Sequence, residues 1–194
     1  MNVVIIKYNA GNIRSVLFAL ERIGVNAVVS DDPSIIRAAD KVIFPGVGEA
    51  SSAMAYLQEK GLDKVICSLT QPTLGICLGM QLLCAHSEEN EVDSLGLIPQ
   101  DVKRFPATSG KVPQIGWNDI YDLKSPLFAN VPQSSYVYFV HGFYAAYGSN
   151  TIATANYGLE YSAALQKDNF YAVQFHPEKS GEVGQQILNN FLQL

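Results

Sequence analysis

The sequence predicts an α/β protein built on a mixed sheet flanked by helices, and three observations predict it. Short β-branched runs alternate with amphipathic stretches through the first half, the rhythm of a parallel sheet covered by helices. After Leu95 the texture changes to short strands separated by Pro, Gly, Asn and Asp turns, which is antiparallel in character. A length of 194 residues with 48% hydrophobic side chains supplies one sizeable core and falls short of two average domains, so residues 1–194 read as a single domain.

The elements follow in order. VVIIKY reads as a strand and GNIRSVLFALERIG as a helix, because Ile13, Val16, Leu17, Leu20 and Ile23 share one face while Arg14, Glu21 and Arg22 occupy the other. VNAVVS, PSIIRAAD and KVIFPG continue the alternation as strand, helix and strand. PTLGI is a strand that runs into LGMQLLCAH, where Leu78, Leu82 and Leu83 stand at helical spacing. DVKRF, QIGWNDIY, YVYFVHGFYAAY, TIATANY, SAALQKD and FYAVQF read as strands, with a final helix from about Val183 to Leu192. With no repeat, low-complexity tract or linker between them, the two halves are expected to share one mixed sheet.

Charge and cysteine usage exclude several classes of function. Charged residues make up 16% of the chain and the net charge is -5, with no basic stretch to neutralise phosphates or anionic headgroups. Neither nucleic acid nor a membrane is an expected partner. No leader pattern precedes NVVII and no apolar run approaches the roughly 18 residues of a membrane span, which predicts a soluble, cytoplasmic protein. Cys67, Cys77 and Cys84 are odd in number and lack metal-ligand spacing, so neither a disulfide framework nor a metal site is expected, no cofactor is implied, and at least one thiol is free.

One of those thiols is framed. Gly75-Ile76-Cys77-Leu78-Gly79 places a cysteine where a strand turns into a helix, with glycines two positions to either side. That is the cysteine form of the nucleophile elbow: the turn exposes the junction side chain, and the glycines relieve crowding around it despite costing about 1 kcal/mol in a helix. A thiol at a helix N-terminus also meets the positive end of the helix dipole, which favours the nucleophilic thiolate. Cys67 and Cys84 lack the glycine frame and read as inert core thiols.

A cysteine nucleophile needs an imidazole to take and return a proton, and a third group to orient that ring. His86 lies at the far end of the elbow helix, poorly placed to reach its start. HPE puts His176 and Glu178 two residues apart after an aromatic-rich strand, so both can point to one side of the strand end. His176 is thus the expected base and Glu178 its orienter, against the plainer reading of a polar turn. Pro45-Gly46-Val47-Gly48 ends another strand with flexible backbone whose amides, with the Leu78 N–H, can form an oxyanion hole. Without a lysine, and with short glycine spacing, it is not a phosphate loop.

G-x-C-x-G-x-Q at Gly75 to Gln81, P-G-V-G at Pro45 to Gly48 and H-P-E at His176 to Glu178 resemble the triad-type, class I glutamine amidotransferases. YNAGNIRSV, PGVGEA, GICLGMQLL, GWN, YFVHGFY and HPEKS resemble one branch of that family, the glutaminase subunits of imidazole glycerol phosphate synthases. The resemblance implies a mixed, mainly parallel sheet flanked by helices, and hydrolysis of glutamine to glutamate and ammonia through a Cys77 thioester, with His176 and Glu178 completing the triad. It carries over Val47 and Leu78 as oxyanion donors, Gly48 and Gln81 as glutamine-binding positions, and the backbone at His141, Gly142 and Phe143 as the receiver of the α-carboxylate. It further implies a (β/α)8-barrel cyclase subunit of imidazole glycerol phosphate synthase as heterodimer partner, with Asn12, Trp117 and Lys179 at the interface; for Trp117 a buried core position is the competing reading. Gln114 and Gly142-Phe143 depart from the PHMGWN and VHSYY or VHTY usual in the branch, which removes the hydroxyl contacts expected after His141.

Two alternatives remain at this level. The same elbow and HPE occur in the glutaminases of anthranilate and aminodeoxychorismate synthases, although GNIRS and HPEKS favour the histidine pathway. An interaction protein with an idle thiol predicts a broken triad, whereas all three members are present.

Overall fold

The structure, a computed structural model, describes residues 1–9 and 11–194. The first half runs β1 (Val3–Ile6), α1 (Ile13–Arg22), β2 (Val28–Ser30), α2 (Pro33–Arg37), β3 (Lys41–Gly46), α3 (Ala50–Glu59), α4 (Leu62–Cys67), β4 (Thr73–Cys77) and α5 (Leu78–Leu83). The second half runs β5 (His86–Ser87), β6 (Val92–Asp93), β7 (Asp101–Arg104), β8 (Gln114–Ile120), β9 (Ser135–His141), β10 (Phe143–Ala145), β11 (Thr151–Asn156), β12 (Glu160–Lys167), β13 (Phe170–Val173) and α6 (Gly181–Gln193).

Strand order in the large sheet is β2-β1-β3-β4-β13-β12-β10-β7-β5-β6, with β11 paired to β12. Its central strands β1, β3, β4 and β13 are parallel neighbours. From β13 outward the pairing is antiparallel through β12, β10 and β7, after which β5 runs parallel to β7 and antiparallel to β6. The alternation of β-branched runs and amphipathic helices thus gives the parallel half, and the turn-rich sequence after Leu95 gives the antiparallel one. One expectation is corrected: β8 and β9 leave the sheet and form a two-stranded antiparallel ladder of their own. The run YVYFVHGFYAAY is broken at Gly142, so β9 pairs with β8 while β10 pairs with β7 and β12. The run is almost continuously apolar and aromatic from Tyr136 to Tyr147, which is why periodicity alone does not reveal the break.

Two apolar clusters cover the two faces of the sheet. On one, Val16 and Leu20 of α1 pack with Ile187, Leu188 and Phe191 of α6 and with Val137 and Phe139 of the ladder. On the other, Ile36, Met54, Leu57, Leu62 and Ile66 of α2, α3 and α4 pack with Leu78, Leu82 and Leu83 of α5. Each of these buried apolar side chains contributes about 1.5–3 kcal/mol relative to exposure. Asp32 caps α2 by accepting from the Ser34 and Ile35 amides, and Pro33 occupies its first turn. Among the described residues no helix is long and apolar enough to cross a membrane.

This topology positions the site. The parallel strands β3, β4 and β13 all finish at one edge, where β3 leads into Val47 and Gly48, β4 ends in Cys77, and β13 leads to Gln174 and His176. The carboxyl ends of parallel strands are where open α/β sheets place ligands.

Candidate active site

Cys77 stands at the end of β4 as the N-cap of α5, with φ 54° and ψ -108°. This is strained backbone for a residue with a side chain, and such strain gathers at functional sites. The flanking glycines have the steric cause the sequence suggests. A Cβ on Gly75 would lie 2.7 Å from Leu83 Cδ1, and one on Gly79 would penetrate the carbonyl of Phe44. The helix is a short one, ending at Leu83, and His86 already belongs to β5, beyond the helix rather than at its end.

His176 is almost fully buried and faces Cys77. Its Nδ1 lies 2.7 Å from Glu178 Oε1, so an Nδ1–H donates to the carboxylate and leaves Nε2 as the free basic nitrogen. Among the described residues that Nε2 has no hydrogen-bond partner. Burial pulls the imidazole pKa down, but the facing Cys77 and Glu178 outweigh it and hold the ring above its ordinary range. Asn12 donates to the same Oε1 of Glu178 and lies 3.4 Å from His176 Nδ1.

A cavity of about 250 Å³ opens beside the thiol, lined by Val47, Gly48, Cys77, Leu78, Gln81, His141, Gly142 and Phe143 together with Pro113, Val140 and Glu89. The residues expected to bind substrate and to form the oxyanion hole therefore converge on one pocket. Gln81 Nε2 donates to the Phe143 carbonyl at 3.1 Å, which leaves its Oε1 as the free end. His141 is buried and held neutral: burial drives its pKa down to about 4, partly opposed by the Phe143 carbonyl 2.7 Å from Nδ1 and reinforced by His176. Gln114, where the branch has histidine, accepts from the Tyr161 hydroxyl at 3.0 Å and so braces the wall behind His141.

Glu89 is the charged pocket residue that the sequence reading misses. It arrives on the β5–β6 hairpin, whose tip places Asn90 and Glu91 at φ 60° and 48°, and it is anchored by accepting from the Ala50 amide at 2.7 Å. Burial raises its carboxyl pKa, with the Ala50 amide opposing and Glu49 adding to the rise. The only signal is local: the acidic run Glu88-Glu89-Asn90-Glu91 at a turn, with nothing to link it to Cys77.

Other expectations separate. Trp117 is 55% exposed, so the buried reading fails; it stands edge-on to Tyr138 at 6.0 Å, and Lys179 Nζ lies 5.9 Å above the same Tyr138 ring. Asn12, expected at an interface, is drawn to Glu178. Cys84 is buried with its thiol raised to about 12 by burial and by Asp101, matching an inert core thiol. Cys67 is exposed, which corrects its assignment to the core: it ends the short α4, whose inward face is taken by Leu62, Val65 and Ile66.

A thiol on strained backbone, an imidazole with a free nitrogen, a carboxylate behind it and a glycine-rich strand end make a site for acyl transfer. The chain belongs to the class-I glutamine amidotransferase family, whose model matches residues 4–194. Its relatives include the imidazole glycerol phosphate synthase subunit HisH of Bacteroides fragilis strain YCH46, 57% identical over the full length of both chains. The protein of that name from Bacteroides thetaiotaomicron is 55% identical over the full length of both, and that from Haemophilus influenzae is 46% identical over all of this chain and 98% of the relative. Solved structures share the fold at lower identity. A putative GMP synthase subunit from Thermoplasma acidophilum superposes with TM-score 0.76 at 20% identity, covering all of this chain and 93% of the other. A further glutamine amidotransferase gives 0.77 at 18% identity, covering all of this chain and 98% of the other.

Proposed function

We infer that this chain is the glutaminase subunit of an imidazole glycerol phosphate synthase, acting as one domain over residues 1–194. The full-length relatives favour this branch over the anthranilate and aminodeoxychorismate alternatives. The observation that carries the chemistry is the placement of strained Cys77 in a pocket of glutamine size beside a histidine whose Nε2 is free among the described residues.

Glutamine enters with its ammonium toward Glu89 and Gln81 Oε1 and its α-carboxylate toward the backbone at Gly142 and Phe143. The side-chain carbonyl then lies between Cys77 and the Val47 and Leu78 amides. The Cys77 proton passes to His176 Nε2 as sulfur attacks the amide carbon, and the oxygen charge is taken up by the two N–H groups. Collapse of this intermediate breaks the C–N bond, His176 returns its proton to the leaving nitrogen, and ammonia departs from a thioester. Water, losing a proton to His176, attacks the thioester; glutamate leaves and the thiol is restored. Glu178 holds the ring and balances the imidazolium charge throughout.

The ammonia goes to a (β/α)8-barrel cyclase that forms imidazole glycerol phosphate and an aminoimidazole carboxamide ribotide. The proposed docking face carries Trp117 and Lys179 around Tyr138, with Ile115 and Tyr136 exposed on the same ladder and Asn12 reaching back to Glu178. A reactive free thiol suits a reducing compartment, which favours the cytoplasm. The test is Cys77→Ala in the complex: glutamine-dependent turnover disappears while turnover with added ammonia persists. Loss of both, or loss of neither, contradicts the assignment.

A further inference from the structure

Gln174 is fully buried just past the end of β13, between the apolar Val173 and Phe175, and no step above uses it. Burying an amide without a partner costs free energy, so its position calls for a physical reason. The register supplies the location: Val173 pairs with Ile76 across β13 and β4, which brings the next residue beside Cys77.

The hydrogen bonds fix which way the amide points. Gln81 Nε2 donates to the Phe143 carbonyl at 3.1 Å, and a carbonyl accepts only, so the Gln81 nitrogen is at that end. The same Nε2 lies 3.0 Å from Gln174 Oε1, which must therefore be the acceptor. Gln174 Nε2 is then the end that faces Cys77 Sγ, at 3.8 Å. Besides His176, the sulfur's remaining polar neighbour is the Val140 carbonyl at 3.7 Å, which accepts from the thiol and has nothing to offer a thiolate.

We propose that Gln174 is a further catalytic residue, which donates through Nε2 to the Cys77 thiolate and is held in that orientation by Gln81 from the glutamine pocket. The inference rests on Cys77 being the nucleophile. When the Sγ proton moves to His176 Nε2, no other bond changes; the Val140 contact loses its donor and the Gln174 N–H remains on the charged sulfur. His176, with Glu178 behind it, and Tyr8 are the titratable groups that face Cys77 from the neighbouring elements. Because Gln81 also lines the pocket, one amide chain joins the substrate site to the nucleophile.

The test is Cys77-specific alkylation by iodoacetamide, read by peptide mass spectrometry on the full chain, with glutamate release by the assembled complex. Gln174→Met keeps the volume and removes the donor. Its alkylation rate at pH 7 should fall about tenfold against the wild type, the loss of one hydrogen bond to a charged group, while the rate at pH 10 is unchanged. The kcat for glutamine should fall about as much, with KM within about threefold. Gln174→Asn, which withdraws the amide by one methylene, should behave alike, and it supplies the measurement where the methionine variant does not fold. Unchanged pH 7 alkylation in a folded variant of either kind overturns the proposal. Failure of the nucleophile assignment is distinguishable, since wild-type turnover would then survive Cys77→Ala.

Discussion

Asn12 and His176 hydrogen-bond to one and the same carboxylate oxygen, Oε1 of Glu178, His176 Nδ1 at 2.7 Å and Asn12 through its side-chain amide. The residue just before α1 thereby holds the carboxylate proposed to orient the His176 imidazole. A hydrogen bond to a charged group is worth about 1.5–3 kcal/mol, so Asn12→Ala should lower kcat for glutamine about 10-fold to 100-fold with little change in KM. Asn12→Asp should be worse, because a second carboxylate then faces Glu178. Steady-state glutamate release by the complex measures both.

Glu89 should act on binding rather than on chemistry, because it lines the pocket with its carboxylate held by the Ala50 amide and touches no reacting atom in the proposed pose. Glu89→Gln retains an oxygen to accept from the Ala50 amide while removing the charge opposite the substrate ammonium. KM for glutamine is expected to rise about tenfold or more, with kcat within about threefold.

Tyr8 carries a buried hydroxyl with no hydrogen-bond partner among the described residues, packed against the open face of Gly46. Tyr8→Phe removes the unsatisfied group and keeps the ring on Phe44. The substitution should stabilise the chain by about 1 kcal/mol, seen as a Tm higher by about 2–4 °C in a thermal melt.

His141 makes stability pH-dependent with a defined sign. Its pKa is near 4 in the folded chain, against about 6.5 when unfolded, so the unfolded state binds the extra proton between those values. Its contribution is fully present above pH 6.5 and is lost as pH falls toward 4, by about 3 kcal/mol in all. Urea midpoints measured from pH 7.5 to 4.5 should fall less steeply in His141→Asn than in the wild type, the difference isolating this residue from the carboxylates that titrate alongside.

How far the sequence discloses the site depends on whether a residue is placed by a local motif or by a long-range approach. Cys77 is legible because its strained turn demands glycines at fixed offsets, and the clash a Gly79 side chain would make with Phe44 is the physical content of that motif. His176 and Glu178 are legible because two residues at a strand end point the same way. Gln174 left a fainter mark, a lone amide in FYAVQF two residues before His176, which pairing with β4 converts into contact with the sulfur. Glu89 left only an acidic run at a turn, with nothing pointing to the pocket, since it gets there on a hairpin whose place is set by the Ala50 and Asn90 contacts to the start of α3. The fold divides similarly: βα alternation announces the parallel strands, whereas the separate β8–β9 ladder depends on a break at Gly142 inside a run of almost continuous apolar and aromatic residues.

The most direct measurement is glutamate release from glutamine by the purified chain, alone and with the imidazole glycerol phosphate cyclase subunit of its own organism plus that subunit's nucleotide substrate. The account predicts a rise of about 100-fold or more on forming the loaded complex, abolished by Cys77→Ala. No rise with the cyclase, together with a rise on adding the anthranilate synthase large subunit, would contradict the assignment to this synthase while leaving the Cys77, His176 and Glu178 chemistry in place.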